Sequence, residues 1–199
     1  MIDRRDEREF DSAHVPGSIN VPMNQSGGGA QAAWMVDPES EVITTAEGDE
    51  DAQRMIRMLE AVGFRHLQGH LAGGITAWRA AKLKVETTPV IDVCTLAERI
   101  NKGEVILLDV RDAPEWEEGH VEGSFHVPYW RMRDEIPDEL RNAGKPLAVA
   151  CSGGIPSALA TSYLKRAGVK NVEYVADGGV FDLKSEGMEL VKGTYPPSY

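Results

Sequence analysis

Residues 108–128 of this 199-residue chain read LDVRDAPEWEEGHVEGSFHVP, and residues 2–22 read IDRRDEREFDSAHVPGSINVP. The two stretches align at a constant offset of 106 without a gap, and ten of the 21 aligned positions are identical. Further along, each copy ends in a Gly-Gly pair, at residues 73–74 and 178–179. A repeat of about one hundred residues predicts two similar domains rather than a solenoid of short units.

Within each copy, short apolar runs alternate with longer stretches of helical periodicity. In the second copy, Glu104–Val110, Lys145–Ala150 and Val172–Val175 are predicted strands, and an apolar stripe over 158–167 predicts a helix. Strands that alternate with helices favour parallel pairing through crossover connections. We therefore expect an α/β fold made of two tandem domains, each a mostly parallel sheet flanked by helices.

The boundary between the two domains is predicted in the segment Thr87–Cys94, which contains Pro89 and reads as a linker before a short helix at Leu96–Asn101. Residues 1–86 then form the first domain and residues 87–199 the second. The first copy opens directly on the strand that bears Asp3, without the strand and helix expected ahead of it. We therefore expect this chain to be part of a longer polypeptide.

Composition excludes several classes of partner. The chain has 21 Lys and Arg against 32 Asp and Glu, a formal net charge of −11, which repels nucleic acid and anionic lipid. Its longest apolar runs are far shorter than the roughly twenty residues that span a bilayer. The charged N-terminus lacks the apolar core of a signal peptide. With Cys94 and Cys151 expected as free thiols, we predict a cytoplasmic protein that binds neither nucleic acid nor membrane.

Cys151 is the chemically distinctive position of the sequence. It follows a predicted strand and precedes Ser-Gly-Gly-Ile-Pro-Ser and a helix, so backbone N–H groups of a helix N-terminus are expected near the sulfur. Such a site stabilises an anion and favours the reactive thiolate. The alternative is that Cys151 is a small buried residue without chemistry, as many free cysteines are.

Taken together, the Asp-x-Arg and Gly-His-Val-x-Gly-Ser motifs within 109–128, the loop 151–157 and the Asp-Gly-Gly at 177–179 resemble the rhodanese-like sulfurtransferases. The resemblance covers both copies. It implies that Cys151 is catalytic, accepting a sulfane sulfur from a small-molecule donor, either glutathione persulfide or thiosulfate, and passing it to a thiol or cyanide. No metal ion or cofactor is expected for this chemistry.

The resemblance also implies a substrate-binding loop, in which the residues after the cysteine hold the anionic persulfide: Ser152, Gly153, Gly154, Ile155, Pro156 and Ser157. Many rhodaneses carry arginine where this chain has Pro156, and a guanidinium there would bind an oxyanion. We therefore expect a preference for an organic persulfide over thiosulfate. Structural roles are expected for four further motif residues: Asp109, Arg111, Glu115 and His120. Tyr129 and Trp130 are candidates for the mouth of the site.

The first copy lacks the nucleophile. Thr45 stands at the position of Cys151, and the loop that follows, Ala-Glu-Gly-Asp-Glu-Asp, carries four acidic residues. This copy is expected to be an inactive rhodanese-like domain. A glycine run at Gly27–Gly29 is expected to be a loop rather than a phosphate site, because no strand precedes it.

Three further interpretations follow. An inactive and an active copy in tandem resemble the C-terminal part of bacterial fusions in which a metallo-β-lactamase-fold domain, in some cases a persulfide dioxygenase, precedes two rhodanese units. The alternative function is a non-catalytic rhodanese-like binding or regulatory module of a larger sulfur-metabolising protein. A cysteine phosphatase is disfavoured, because no arginine lies in the loop 151–157.

Overall fold

The structure is a computed structural model, and it describes residues 1–22 and 28–193. The chain divides into two compact units, one built mainly from Met1–Thr88 and the other mainly from the residues after Thr88. Each unit contains its own parallel sheet with helices, so the predicted α/β fold with two tandem domains is confirmed.

The first unit has four strands and four helices among its described residues: β1 (Ile2–Asp3), α1 (Glu7–Ser12), β2 (Ile19–Asn20), α2 (Gly28–Met35), β3 (Val42–Thr45), α3 (Asp49–Ala61), β4 (Leu67–His70) and α4 (Gly74–Ala80). The strands form a parallel sheet in the order β2-β1-β3-β4. Helix α3 is amphipathic: the buried residues Ala52, Met55 and Leu59 recur at helical spacing. Three acidic residues occupy the first turn of α3, where the positive end of the helix dipole favours them.

The elements described in the second unit are β5 (Val90–Ile91), α5 (Val93–Asn101), β6 (Ile106–Asp109), α6 (Ala113–Glu118), β7 (Phe125–His126), α7 (Asp138–Arg141), β8 (Leu147–Ala150), α8 (Ile155–Arg166) and β9 (Val172–Val175), with 3₁₀ turns at Tyr129–Arg131 and Val180–Lys184. The five strands form a parallel sheet in the order β5-β9-β8-β6-β7. The residues of β8 have no exposed surface, as expected for a central parallel strand covered on both faces.

One strand was not predicted, and one predicted loop was wrong. The segment Thr87–Cys94, predicted as the linker before the second domain, contains β5, which pairs with β9; a strand of two residues leaves no periodicity in a sequence. The glycines Gly28 and Gly29 begin helix α2 instead of forming a loop, and Gly27 lies outside the described residues. Gly29 packs closely against the first unit's α3, since a Cβ there would lie 3.0 Å from the Met58 carbonyl oxygen.

The shared Asp-x-Arg motif forms the same buried ion pair in both units. Arg111 Nη2 lies 2.5 Å from Asp109 Oδ2 and donates to the Gly119 carbonyl, and neither side chain is exposed. In the first unit, Arg5 Nη2 lies 2.6 Å from Asp3 Oδ2. Each pair ties the end of a strand to the loop that follows, so the loops at this edge of each sheet are held in place.

Candidate active site

The chain turns sharply between β8 and α8, and Cys151 is the first residue of that turn. Gly153 and Gly154 have φ values of 131° and 135°, which side-chain-bearing residues rarely adopt. These two glycines let the chain pass directly from a buried strand into a helix that begins at Ile155. The predicted order of strand, glycine turn and helix is therefore observed around Cys151.

Among the described residues, three groups lie within hydrogen-bond distance of the Cys151 sulfur. The Gly153 backbone N–H donates to Sγ at 3.3 Å, and the Ser157 hydroxyl oxygen lies 3.2 Å from Sγ. The Gly154 carbonyl oxygen lies 3.7 Å from Sγ and also accepts from the Ser157 hydroxyl at 2.8 Å. Cys151 is only 3% exposed. The sulfur is thus held within a small network of donors and an acceptor.

The Asp-Gly-Gly motif supports this turn from a neighbouring strand end. The Val180 N–H donates to the Cys151 carbonyl at 2.9 Å, and a Cβ on Gly179 would lie 2.3 Å from the same oxygen. Gly178 has a φ of 142°, and a Cβ there would lie 2.6 Å from Val93 Cγ2. Only glycine fits at either position, which explains why the motif accompanies the cysteine loop.

Cys151 lines a cavity of about 230 Å³. Two carboxylates, Asp112 and Glu115, stand in its wall. Glu115 accepts a hydrogen bond from the Ser152 hydroxyl, and Asp112 accepts one from Trp130 Nε1 at 2.7 Å. The cavity is lined by Arg111, Asp112, Glu115, Tyr129, Cys151, Ser152, Gly153 and Pro156. Because Arg111 is paired with Asp109, its charge is balanced inside the protein.

The cysteine loop places its predicted binding residues in three environments. Ser152, Gly153 and Pro156 line the cavity beside Cys151. Ser157 has no exposed surface and meets the sulfur from the protein side, whereas Ile155 is buried. Gly154 points its carbonyl toward the sulfur. The binding roles of the six loop residues stay predictions.

Two carboxylates stand beside the cysteine loop. Glu115, for which a structural role is expected, accepts a hydrogen bond from the Ser152 hydroxyl of that loop. Asp112 was not singled out in the sequence as a site residue. Both follow β6, and the ends of parallel strands β6 and β8 lie at the same edge of the sheet, which was the available signal. His120, by contrast, stacks on Trp116 at 3.7 Å between ring centroids, a structural role.

The equivalent loop of the first unit is lined by charged side chains. Arg4 forms an ion pair with Asp51, and both line a cavity of about 130 Å³. Thr45 is fully buried, and its hydroxyl has no hydrogen-bond partner among the described residues. Burial, together with a hydrogen bond to Glu47, raises the pKa of Glu9. This loop presents carboxylates where the second unit presents a thiol.

Within residues 1–22 and 28–193, no group of three or more His, Cys, Asp or Glu side chains is arranged to bind a metal ion. Both cysteines are free thiols, Cys94 exposed and Cys151 buried. In the same part of the chain, no helix combines the length and the apolar character needed to cross a membrane.

Curated relatives share part of this chain. The tRNA uridine(34) hydroxylase of Pectobacterium carotovorum is 32% identical over 97 residues, covering 44% of this chain and 26% of the relative. The protein of the same name from Yersinia pestis is 31% identical over 101 residues, covering 47% of this chain and 28% of the relative. The chain thus spans less than a third of the length of these relatives.

Solved structures and a family model provide the remaining comparisons. A rhodanese-related protein from Thermoplasma volcanium is 29% identical and covers 52% of this chain and 97% of its own, with a TM-score of 0.45. A thiosulfate sulfurtransferase from Pseudomonas aeruginosa is 21% identical and covers 97% of this chain and 40% of its own, with a TM-score of 0.42. The family model of the rhodanese-like domain matches residues 1–81 and 93–186. The chain therefore belongs to the rhodanese-like domain family, with one matched segment in each half.

Proposed function

We propose that the second unit is a sulfurtransferase that works through a persulfide on Cys151. The observation that supports this most is the position of the Cys151 sulfur, in the wall of a cavity and within hydrogen-bond distance of the Gly153 N–H and the Ser157 hydroxyl. Both groups are able to donate to a thiolate. A nucleophilic thiolate beside a small cavity suits attack on the outer sulfur of a small donor.

Sulfur transfer takes place in two balanced steps. The Cys151 thiolate attacks the sulfane sulfur of the donor, the bond between that sulfur and the donor breaks, and the donor leaves as a thiolate or, from thiosulfate, as sulfite. The acceptor, a thiol or cyanide, then attacks the outer sulfur of the Cys151 persulfide, and the Cys151 thiolate is released. No external oxidant or reductant enters either step.

We propose an organic persulfide, such as glutathione persulfide, as the preferred donor. Residues 151–157 contain no arginine, and the cavity wall carries the carboxylates of Asp112 and Glu115. The guanidinium of Arg111 is already neutralised by Asp109. A thiosulfate dianion therefore meets negative charge without a free cationic partner in this wall, whereas the organic part of a persulfide gains contacts with Tyr129 and Pro156.

The first unit has a non-catalytic role in this proposal, since Thr45 replaces the nucleophile and Arg4 pairs with Asp51 in the equivalent loop. We further propose that the pair operates in the cytoplasm beside a metallo-β-lactamase-fold domain that handles persulfides; the two free cysteines suit a reducing compartment.

A tRNA substrate, which the names of the curated relatives state for those proteins, is disfavoured here by the net charge of −11.

One observation favours a second candidate, a binding or regulatory module without turnover: Cys151 is only 3% exposed. The two candidates differ in whether Cys151 gains sulfur. Intact-protein mass spectrometry after brief exposure to glutathione persulfide or to thiosulfate distinguishes them, with Cys151→Ser and Cys94→Ser variants as matched controls.

We expect the parent and Cys94→Ser to gain one sulfur atom, about 32 Da, from glutathione persulfide and much less from thiosulfate, and Cys151→Ser to gain none. Equal loading from both donors would contradict the donor preference. Absence of loading from either donor, with Cys151 still accessible to alkylation, would remove the catalytic proposal and leave the binding module.

A further inference from the structure

Ser157 places its hydroxyl beside two acceptors, the Cys151 sulfur and the Gly154 carbonyl oxygen. It lies in the first turn of α8, has no exposed surface, and its hydroxyl oxygen is 3.2 Å from the sulfur of Cys151. The same oxygen is 2.8 Å from the Gly154 carbonyl oxygen, which is itself 3.7 Å from the sulfur. Sulfur, hydroxyl and carbonyl thus form a closed triangle around one or two protons.

The number of protons in this triangle decides which way the hydroxyl donates. When Cys151 is a thiol, the sulfur and the hydroxyl each carry a proton, and the Gly154 carbonyl is the only one of the three groups that purely accepts. When Cys151 is a thiolate, one proton remains, and the charged sulfur competes for it with the neutral carbonyl. A hydrogen bond to a charged acceptor is about twice as strong as one to a neutral acceptor.

We infer that Ser157 is a positioning residue for the nucleophile, whose hydroxyl turns from the Gly154 carbonyl to the Cys151 sulfur when the thiol loses its proton. The thiolate then accepts from two directions, from the Ser157 O–H and from the Gly153 N–H. Since Ser157 is fully buried, water does not replace the lost donor if the hydroxyl is removed. The importance of this step for sulfur transfer rests on the proposed function, but the stabilisation of the thiolate does not.

The aligned loop of the first unit is consistent with a coupling between the two positions. The repeat offset places Thr45 opposite Cys151 and Asp51 opposite Ser157. Where the thiol is absent, the serine is absent as well, and the residue in its place pairs with Arg4. The hydroxyl thus occurs in the copy of the repeat that has a sulfur to receive it.

The rate of Cys151 alkylation by iodoacetamide as a function of pH tests the inference, with the labelled site resolved by peptide mass spectrometry so that Cys94 does not interfere. The variant is Ser157→Ala. The matched control is Ser162→Ala, which removes a second buried hydroxyl from α8, one that donates to the Leu159 carbonyl at 2.9 Å. The surrounding titratable groups are unchanged in both variants: Arg111, Asp112, Glu115 and Tyr129 in the cavity wall, Asp109 paired with Arg111, and Asp182, which accepts from the Gly179 N–H.

We expect Ser157→Ala to move the midpoint of the alkylation profile upward by about one pH unit. The alkylation rate below the midpoint then falls about tenfold, whereas the plateau rate at high pH stays within about twofold of the parent. Ser162→Ala keeps the parent midpoint. A lowered plateau with an unchanged midpoint would show that Ser157 only shapes the loop, and would overturn the inference. Sulfur loading of the parent is scored separately, so that failure of the proposed function is distinguished from failure of this inference.

Discussion

Each unit has an equivalent edge of its own sheet, but different residues stand at that edge in the two units. In the second unit, β8 ends in Cys151, and two glycines and a buried serine leave the sulfur beside an open cavity. In the first unit, β3 ends in Thr45, and Arg4 pairs with Asp51 beside the loop that follows. The ion pair that supports each edge, Asp-x-Arg, is the same in both. The same scaffold therefore accommodates either a cysteine or a threonine at this strand end, because the scaffold and the loop depend on different residues.

The largest effect on stability is expected from the buried ion pair between Asp109 and Arg111. Arg111→Met leaves the Asp109 carboxylate buried without its partner, so we expect the free energy of unfolding of the second unit to fall by about 3–5 kcal/mol. Urea unfolding measures the change. Lys102→Met is the control, since its side chain is 59% exposed and its loss is expected to cost less than about 1 kcal/mol. A small loss at Arg111 would mean that the pair does not support the edge.

A smaller loss of stability is expected when the contact between the Asp-Gly-Gly turn and the cysteine loop is disturbed. Gly179→Ala puts a methyl group into the Cys151 carbonyl and the Ser152 backbone, and we expect a loss of about 1–3 kcal/mol together with reduced sulfur loading of Cys151. Gly144→Ala is the control, because a Cβ there meets nothing within 4 Å. Thermal unfolding and mass spectrometry measure the two quantities. Full sulfur loading of Cys151 in Gly179→Ala would show that this turn does not support the cysteine loop.

At one position of the repeat, the residues of the two units are expected to give a different dependence of stability on pH. Asn20 donates to the Arg5 carbonyl at 2.9 Å, and at the equivalent position His126 Nε2 lies 2.7 Å from the Arg111 carbonyl. Burial lowers the pKa of His126 in the folded protein. Below about pH 6.5, His126 therefore takes up a proton in the unfolded chain but stays neutral in the folded chain. The free energy of unfolding consequently falls as the pH drops from about 6.5 toward the pKa of His126 in the folded protein.

His126→Asn copies the first unit into the second and is expected to flatten the pH dependence of its unfolding free energy below about pH 6.5. The measurement is urea unfolding at a series of pH values, in which the slope rather than the absolute stability is compared. An unchanged slope would show that other groups dominate the response to acid.

The smallest expected effect tests whether the nucleophile alone separates the two loops. Thr45→Cys on a Cys151→Ser background restores a thiol to the first unit, yet we expect no measurable sulfur loading there. Thr45 is fully buried, and the neighbouring cavity is lined by Glu47 and Asp51, with Arg4 already paired. Mass spectrometry after exposure to glutathione persulfide reads the result. Loading close to that of the parent would assign the difference between the units to a single residue.

Much of the scaffold could be predicted from the sequence because its signals are local or repeated. The strand at Val172–Val175 was predicted with the bounds that the structure has, since an apolar run between turn residues is visible in the chain itself. The strand Val90–Ile91 was missed, because two residues carry no period and are ordered by pairing with β9. Gly28 and Gly29 were misread for a related reason: their helix depends on close packing against the first unit's α3.

For this protein, the sequence by itself determined the duplication, the α/β class and the identity of the cysteine-bearing copy. The signals for these features, identical residues at a constant offset and an apolar strand followed by glycines, lie in contiguous stretches of the chain. Only the tertiary structure decided what surrounds the sulfur. Glu115 lies 36 residues before Cys151 in the chain, yet it binds Ser152 beside it, since β6 and β8 end at the same edge of the sheet. Such contacts arise from strand order and packing, which local sequence patterns do not encode.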